Sequence, residues 1–161
     1  MPAGTIEIIA RGLLRAGDHI LVCRNLKHGY AYLPGGHVEF GEAASDALQR
    51  ELVEELGAST AATMSVGPLL LVNEGSFGVK KREHHELNLV FHVEHAFPSV
   101  PPPVASAEQK IAFDWLDMAA LPEADLRPGS VRAWLAAGGV VEGPPIGWLS
   151  DMQRGAGRSG D

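Results

Sequence analysis

Residues 43–56 form the segment that most constrains how this chain can fold. They are rich in Ala, Leu, Glu, Gln and Arg, contain no Gly or Pro, and are followed by Gly57. These are the usual signals of an α-helix that ends at a glycine. On such a helix the carboxylates of Glu51, Glu54 and Glu55 share a sector about 100° wide, and this sector borders the leucine stripe that must be buried. The sequence therefore predicts an acidic stripe that lies half in water and half against the core.

The acidic stripe needs positive charge beside it. Like charges three and four residues apart on a helix repel each other by about 0.2–0.5 kcal/mol per pair, and by more when they are partly desolvated. Arg50, one turn before Glu54, supplies one positive charge. A divalent cation is the simplest further source, and carboxylate oxygens suit Mg²⁺ or Mn²⁺ better than zinc. A solvated acidic face also explains a charge run of this kind, so the stripe alone leaves both interpretations open.

A glycine pair precedes the helix. Residues 33–36 read Leu-Pro-Gly-Gly, and Glu39 and Glu42 follow on the segment that enters the helix. Two adjacent glycines let the backbone pass close to a ligand, and their carbonyl oxygens can serve as hard ligands. Glu42 suits either a contact with the positive end of the helix or a role at a metal.

The spacing of these residues resembles the signature of the Nudix hydrolase family (nucleoside diphosphate linked to moiety X hydrolases). The signature is written G-x5-E-x7-R-E-U-x-E-E-x-G-U, where x is any residue and U is a bulky apolar residue. Residues 36–58 meet every position except the last, where Ala58 replaces a larger aliphatic residue. That departure concerns packing after the helix, and a pattern of this length is far more specific than a lone glycine motif.

The resemblance implies an α/β fold, a Nudix-type α/β/α sandwich with a mixed β-sheet. It implies a metal-dependent pyrophosphohydrolase that cleaves a diphosphate bond by attack of water on phosphorus, with Mg²⁺ or Mn²⁺ as the cofactor. The expected metal ligands are Glu51, Glu54, Glu55 and a backbone carbonyl at Gly35 or Gly36.

Other residues are expected to assist the metal site. Arg50 would orient the carboxylates through bidentate hydrogen bonds. The general base stays open between Glu54, Glu108 and the charged segment 83–86, and an exposed loop acid explains Glu108 equally well. The candidate substrate contacts are Lys27, Glu39 and Glu83, although Lys27 lies in a polar loop that solvation alone would explain.

The substrate itself is not named by the motif. The resemblance implies a nucleotide sugar, an ADP-ribose-like compound or a nucleoside triphosphate, with removal of non-standard triphosphates as a close second. Residues 72–76 lack the proline or tyrosine that marks some subfamilies beyond the motif. The alternative is a non-catalytic Nudix domain that senses or binds a nucleotide. Such domains commonly lose motif glutamates, which are all present here.

Composition limits the remaining options. A chain of 161 residues that is 45% hydrophobic suits one domain, predicted at residues 1–150, with a flexible tail at 151–161. A net charge of −7 without a basic block argues against a nucleic-acid partner, and no apolar run is long enough to span a membrane. We expect a cytoplasmic protein that binds a small-molecule nucleotide, with a homodimer as one expected assembly. Cys23, the only cysteine, is predicted to be buried.

Local patterns predict the other elements. Residues 5–14 and 19–24 read as a hairpin, residues 74–83 as a loop, and residues 86–96 as a half-buried strand with Asn88 on its water-facing side. Short strands are expected at 31–33 and 111–116, a β-rich stretch at 63–73, and a second helix at 128–137.

Overall fold

Two four-stranded β-sheets form the centre of the fold in the computed structural model, which describes residues 4–79, 82–139 and 146. The strands are β1 (Thr5–Leu13), β2 (Arg15–Ala16), β3 (His19–Asn25), β4 (Ala31–Tyr32), β5 (Gly35–His37), β6 (Ser65–Val79), β7 (Arg82–Glu94) and β8 (Ile111–Asp117). The helices are α1 (Ala44–Leu56), α2 (Ala58–Ala61), α3 (Gly129–Ala136) and a 3-10 helix at Met118–Glu123.

The first sheet is mixed and the second is antiparallel. The strand order of the first sheet is β5-β1-β7-β6, with β1 parallel to β7 and antiparallel to β5. In the second sheet β3 pairs with β2, β4 and β8, in each case antiparallel. The predicted α/β class with a mixed sheet is confirmed, and the strands divide between two sheets.

Both faces of the central strands are covered by apolar residues. In β3, Leu21 and Cys23 belong to the core that contains the leucines of α1, whereas Ile20 and Val22 belong to the core that contains residues of α3. Strands buried on both faces read as continuous apolar runs, which explains this part of the sequence. Helices therefore flank the sheets on two sides, as an α/β/α sandwich requires.

The predicted hairpin of residues 5–14 and 19–24 is wrong in its main part. β1 pairs with β5 and β7, and only the short β2 turns back on β3, at Arg15↔Ile20 and Ala16↔His19. Closeness in sequence favours a hairpin, but here the chain leaves the first sheet after Leu13 and enters the second.

The predicted loop at residues 74–83 is also wrong. β6 and β7 continue as a paired hairpin through this segment, and Glu74 contacts His85 across the strands at 2.8 Å. Cross-strand pairing outweighs the glycines and charges that indicated a loop. Residues 80 and 81 lie outside the described part of the chain.

The segment 86–96 is more buried than predicted. Asn88 is 1% exposed, because the face expected to meet water instead contributes Val90 to the core around α3. α3 begins one residue later than predicted and buries Val131 and Leu135. The predicted tail at 151–161 lies outside the described residues. Within the described part, no helix is long and apolar enough to cross a membrane.

Candidate active site

Helix α1 presents its three predicted ligands at different depths. The helix ends where Gly57 adopts a φ of 83°, a left-handed conformation that favours glycine, and donates its N–H to Val53 O at 2.9 Å. Glu55 is 4% exposed, the Glu51 side chain 16% and the Glu54 side chain 50%. The acidic stripe therefore runs from the core out to water, as its position beside the leucines predicts.

Arg50 joins the helix to the loop before it. Its Nε and Nη2 donate to the two carboxylate oxygens of Glu42 at 2.9 and 3.0 Å, and Nη2 also donates to the His37 carbonyl at 3.0 Å. Its Nη1 donates to Glu51 at 2.9 Å and to Glu54 at 3.4 Å. The seven-residue gap between Glu42 and Arg50 is thus the spacing that closes a bidentate pair, which supports the predicted orienting role of Arg50.

Arg50 and Glu42 stabilise each other's charged forms. Hydrogen bonds from Arg50 hold the pKa of Glu42 below its usual value, and those bonds to Glu42 raise the pKa of the guanidinium. One guanidinium faces three carboxylates, those of Glu42, Glu51 and Glu54. The excess of negative charge is the electrostatic condition for binding a cation.

Glu55 occupies a different environment from its neighbours. Its Oε2 accepts the backbone N–H of Gly35 at 3.1 Å. Burial raises the pKa of Glu55 to about 8, and the charges of Glu51 and Glu108 add to this effect, whereas the Gly35 hydrogen bond and Arg11 oppose it. A nearby positive charge would favour the ionised form of this carboxyl.

The two glycines of the turn are needed for different reasons. A side chain at Gly36 would meet the carboxylate oxygens of Glu51 at 2.5 and 2.6 Å, so Glu51 packs against the backbone at this position. Gly35 has a φ of 125°, and a side chain there would collide with the carbonyl oxygen of Ala10. These close contacts bring β5 against the acidic face of α1, and the predicted approach of the glycine backbone to a ligand stays a prediction.

Cys23 lies beside Glu55 and is buried, as predicted. Its Sγ is 3.8 Å from the Glu55 Oε1. Burial, with the Glu55 charge, raises the pKa of the thiol well above its usual value. A thiol that stays protonated is a poor nucleophile, so Cys23 serves packing.

Glu108 lies next to the end of the acidic helix, and Glu39 contacts Glu42 through its backbone. The loop of Glu108 is tied to the end of α1, because Ala107 N–H donates to the carbonyl of Glu55 at 2.8 Å, and the Glu108 side chain is exposed. Glu39 is exposed, and its backbone N–H donates to Glu42 at 3.1 Å.

Lys27 is not brought to the acidic helix by any described contact. The Lys27 side chain is exposed and forms no hydrogen bond or ion pair with a described residue. The side chain of Glu83 lies outside the described part of the structure, so its predicted role stays a prediction.

The carboxylates do not form a closed metal cage in this arrangement. Within residues 4–79 and 82–139, no three His, Cys, Asp or Glu side chains converge closely enough to hold a metal ion. Arg50 bridges Glu51 and Glu54, and the bond to half-exposed Glu54 is the longer one, at 3.4 Å. An all-oxygen donor set with excess negative charge nevertheless fits a hard divalent cation better than a softer metal.

Sequence reasoning missed Arg11, which lines the other side of the turn. Its Nη1 donates to the carbonyls of Leu33 at 3.2 Å and Gly35 at 2.7 Å, and its guanidinium lies 5.0 Å from the ring centre of Tyr32. A positive charge inside a mostly apolar strand was the available signal. Its partners are more than twenty residues away in sequence, so no local pattern could name them.

The amino-acid sequence also matches a known protein family. A family model described as NUDIX domain matches residues 6–136. The chain belongs to the NUDIX family. As a NUDIX protein it is a hydrolase that acts on pyrophosphate bonds of nucleoside diphosphate derivatives. NUDIX hydrolases bind small nucleotide substrates and generally use divalent metal ions.

Solved structures share the NUDIX fold at low sequence identity. The MutT protein from Methanosarcina mazei Go1 is 20% identical, with a TM-score of 0.63 over 85% of this chain and 95% of that chain. The MutT NUDIX hydrolase from Burkholderia pseudomallei is 20% identical, with a TM-score of 0.56 over 80% and 95%. The E. coli dihydroneopterin triphosphate pyrophosphohydrolase is 17% identical, with a TM-score of 0.58 over 82% and 92%. At these identities the similarity establishes the fold, and the substrate has to be argued from the site.

Proposed function

We propose that this NUDIX protein is a pyrophosphohydrolase that depends on Mg²⁺ or Mn²⁺ and cleaves a nucleotide sugar, an ADP-ribose-like compound or a nucleoside triphosphate. The observation that carries the proposal is the group of carboxylates Glu42, Glu51 and Glu54 around the single guanidinium of Arg50. A diphosphate is itself an anion. The carboxylates would repel the phosphates unless a cation lies between the two groups. The excess of negative charge in the site therefore supports metal dependence.

The proposed ligands of the cation are Glu51, Glu54 and Glu55, with the backbone carbonyl of Gly36. When bound, the cation would neutralise phosphate oxygens and make a water molecule more acidic. Gly36 lets Glu51 lie against the backbone, because any side chain there would displace the carboxylate. Glu55 would contribute a carboxylate whose position is fixed by the N–H of Gly35.

Arg50 is the proposed positioning residue. It holds Glu51 at 2.9 Å, and its own guanidinium is fixed by the bidentate pair with Glu42. A side chain held on both edges loses little entropy when the substrate arrives, which favours a preformed site.

Glu54, Glu108 and the segment 83–86 are the proposed alternatives for the proton acceptor. Glu54 is half exposed and Glu108 is exposed, so both can reach a water molecule, whereas Glu55 is shielded from solvent. The base would take a proton from the attacking water as its oxygen bonds to phosphorus and the P–O bond of the bridge breaks. The products are a nucleotide and a phosphorylated second group.

Residues around the carboxylates are proposed to contact the substrate. Lys27 offers an exposed positive charge that no described residue pairs with, and Glu39 and Glu83 are the remaining candidates. We expect the reaction to occur in the cytoplasm, with the chain as a monomer or a homodimer.

A product screen by mass spectrometry tests the proposal. Nucleoside triphosphates, nucleotide sugars, ADP-ribose and dinucleoside polyphosphates are incubated with the full chain and Mg²⁺ or Mn²⁺. Glu54→Gln is run in parallel, with Glu123→Gln as the control, since Glu123 is an exposed carboxylate outside the site. Metal-dependent cleavage that Glu54→Gln lowers by orders of magnitude and Glu123→Gln preserves supports the proposal. A nucleotide that raises the melting temperature but stays intact in every reaction would favour the sensing domain instead.

A further inference from the structure

The short strand β5 carries the glycines of the site, and β1 is its only strand partner among the described residues. β5 lies at the edge of the first sheet and pairs with β1 at three positions, including Arg11↔Gly35. Glycine has more backbone freedom than any other residue, so two adjacent glycines with few strand contacts can adopt several conformations. The site requires one of them, in which the N–H of Gly35 holds Glu55. The backbone at Gly36 then lies against the carboxylate of Glu51.

Arg11 donates to two carbonyls of the glycine turn. Its Nη1 donates to the carbonyl of Gly35 at 2.7 Å and to that of Leu33 at 3.2 Å. The carbonyl between them, that of Pro34, accepts the N–H of Gly12 at 2.8 Å. Three consecutive carbonyls of the turn are thus held from β1, two of them by one guanidinium. Hydrogen bonds from a charged donor are stronger than those from a neutral one, so the guanidinium is well suited to hold a backbone that glycine leaves free.

The guanidinium of Arg11 is itself held in place. It lies 5.0 Å from the ring centre of Tyr32 on β4, and the side chain is partly buried. Both of its described side-chain hydrogen bonds go to carbonyls of the turn. A planar guanidinium presents its N–H groups in a fixed geometry, which suits it to bridging two acceptors.

Gly35 connects Arg11 to the carboxylates of α1. Its carbonyl accepts from Arg11 and its N–H donates to Glu55 Oε2 at 3.1 Å, so this residue is held on both sides. The carbonyl of Gly35 belongs to the peptide unit that continues into Gly36. Rotation of that unit would move the Gly36 backbone, against which Glu51 packs. The bond from Arg11 therefore bears on two proposed ligands of the cation through the backbone.

We propose that Arg11 is a positioning residue of the cation site, which fixes the Gly35 backbone and thereby the geometry of Glu55. The inference rests on the proposed function and adds to it a residue outside the signature segment 36–58. Partners that orient metal ligands commonly change metal affinity or activity by about 10- to 100-fold when they are removed. Because Arg11 acts through the backbone, its effect should appear in metal binding before any substrate is present.

The variants are Arg11→Met and Arg11→Lys, with Arg132→Met as the matched control. Methionine keeps an unbranched apolar stem and removes every N–H donor, whereas lysine keeps a charged donor without the planar guanidinium. Arg132 is also a partly buried arginine whose Nη1 donates to a backbone carbonyl, that of Ala124 at 2.9 Å. It lies on α3, outside the proposed site. Thermal unfolding verifies the fold of each variant.

Two measurements are made on the full chain without substrate. Calorimetry gives the affinity for Mn²⁺. Hydrogen–deuterium exchange followed by mass spectrometry gives the protection of the backbone amides in residues 33–37, which reports how firmly the turn is held.

We expect Arg11→Met to bind Mn²⁺ at least roughly tenfold more weakly than the wild type, and Arg11→Lys to lie between the two. Exchange of the amides in residues 33–37 should become faster in the same order, whereas Arg132→Met should match the wild type in both measurements. Wild-type Mn²⁺ affinity in folded Arg11→Met would overturn the proposal, as would an equal loss of affinity in Arg132→Met. If Arg11→Met does not fold, wild-type affinity in Arg11→Lys overturns it instead.

Direct contact with the substrate is the competing role for Arg11, and the same variants distinguish the two roles. Suppose that Arg11→Met raises the KM for the substrate found in the product screen, at saturating Mn²⁺, but keeps wild-type Mn²⁺ affinity. Arg11 would then contact the substrate, and the positioning role would be overturned. If Mn²⁺ binding and amide exchange change as expected but the wild type cleaves no diphosphate, the proposed function fails and this inference stands.

Discussion

The Gly36→Ala substitution tests whether the position of Glu51 matters for metal binding. The added Cβ would lie 2.5 and 2.6 Å from the two carboxylate oxygens of Glu51, well inside van der Waals contact. Gly36 does not have a positive φ, so alanine can adopt its backbone conformation. The clash is therefore with the end of a flexible side chain, and Glu51 has to move.

The expected cost to folding is modest and the cost to function is large. Moving Glu51 breaks its 2.9 Å bond from Arg50, and a hydrogen bond to a charged group contributes about 1.5–3 kcal/mol. Part of this is regained where the carboxylate reaches water, so we expect a loss of stability of about 1 kcal/mol. A ligand displaced by about 1 Å can lower turnover by roughly 100-fold.

The assay combines chemical unfolding, Mn²⁺ binding by calorimetry and turnover of the substrate found in the product screen. Gly75→Ala is the matched control, because Gly75 lies in a strand and a Cβ there meets no atom within 4 Å. Gly35→Ala is the opposite extreme, since its φ of 125° and the collision with Ala10 should prevent normal folding. Folded Gly36→Ala with the metal affinity and turnover of Gly75→Ala would refute the assignment of Glu51 as a ligand.

Three further predictions concern Arg50 and Glu55 of the same helix and Cys23, which lies beside Glu55. The Arg50→Lys variant should fold but turn over substrate roughly 10- to 100-fold more slowly, because lysine cannot form the bidentate pair with Glu42. A kcat equal to that of the wild type would contradict this. In metal-free protein, folding raises the pKa of Glu55 from 4.5 to about 8, so the native state retains a proton that the unfolded chain loses and stability falls as pH rises across that window. Glu55→Gln should remove this fall, whose slope is at most about 1.4 kcal/mol per pH unit, and unfolding at a series of pH values would reveal an unchanged slope if the reasoning fails. Cys23 should react with iodoacetamide only after unfolding, because the thiol is buried and stays protonated; rapid labelling of native protein, followed by mass spectrometry, would contradict its burial.

The sequence predicts the helix and its acidic face because those signals are local. Glycine at the end of the helix, the leucine spacing and the absence of breakers place α1 within one residue of its observed bounds. The same periodicity places Glu51, Glu54 and Glu55 beside the core. It does not give their different burial, which depends on how β5 approaches the helix through Gly35.

Contacts between distant elements could not be predicted in this way. Arg11 meets the turn after β4 because β1 pairs with β5, and Asn88 lies near α3 on β7, the neighbour of β1 on the other side. The pattern of residues 86–96 indicated a strand with one face in water, because the sequence of one strand does not show which distant helix packs against its second face. The extended β6–β7 hairpin was missed for the same reason, since pairing across strands is not encoded in the composition of residues 74–83.

Mn²⁺ binding to wild type and Glu54→Gln tests the central claim most directly. Glu54 is half exposed, and among the described residues it accepts only the 3.4 Å bond from Arg50, so the amide should change the charge of the site with little effect on packing. The account predicts that calorimetry detects Mn²⁺ binding to the wild type, at least roughly tenfold weaker binding to Glu54→Gln, and equal thermal stability of the two metal-free proteins. Equal Mn²⁺ affinity in both folded proteins would contradict the claim that the carboxylates of α1 form a metal site.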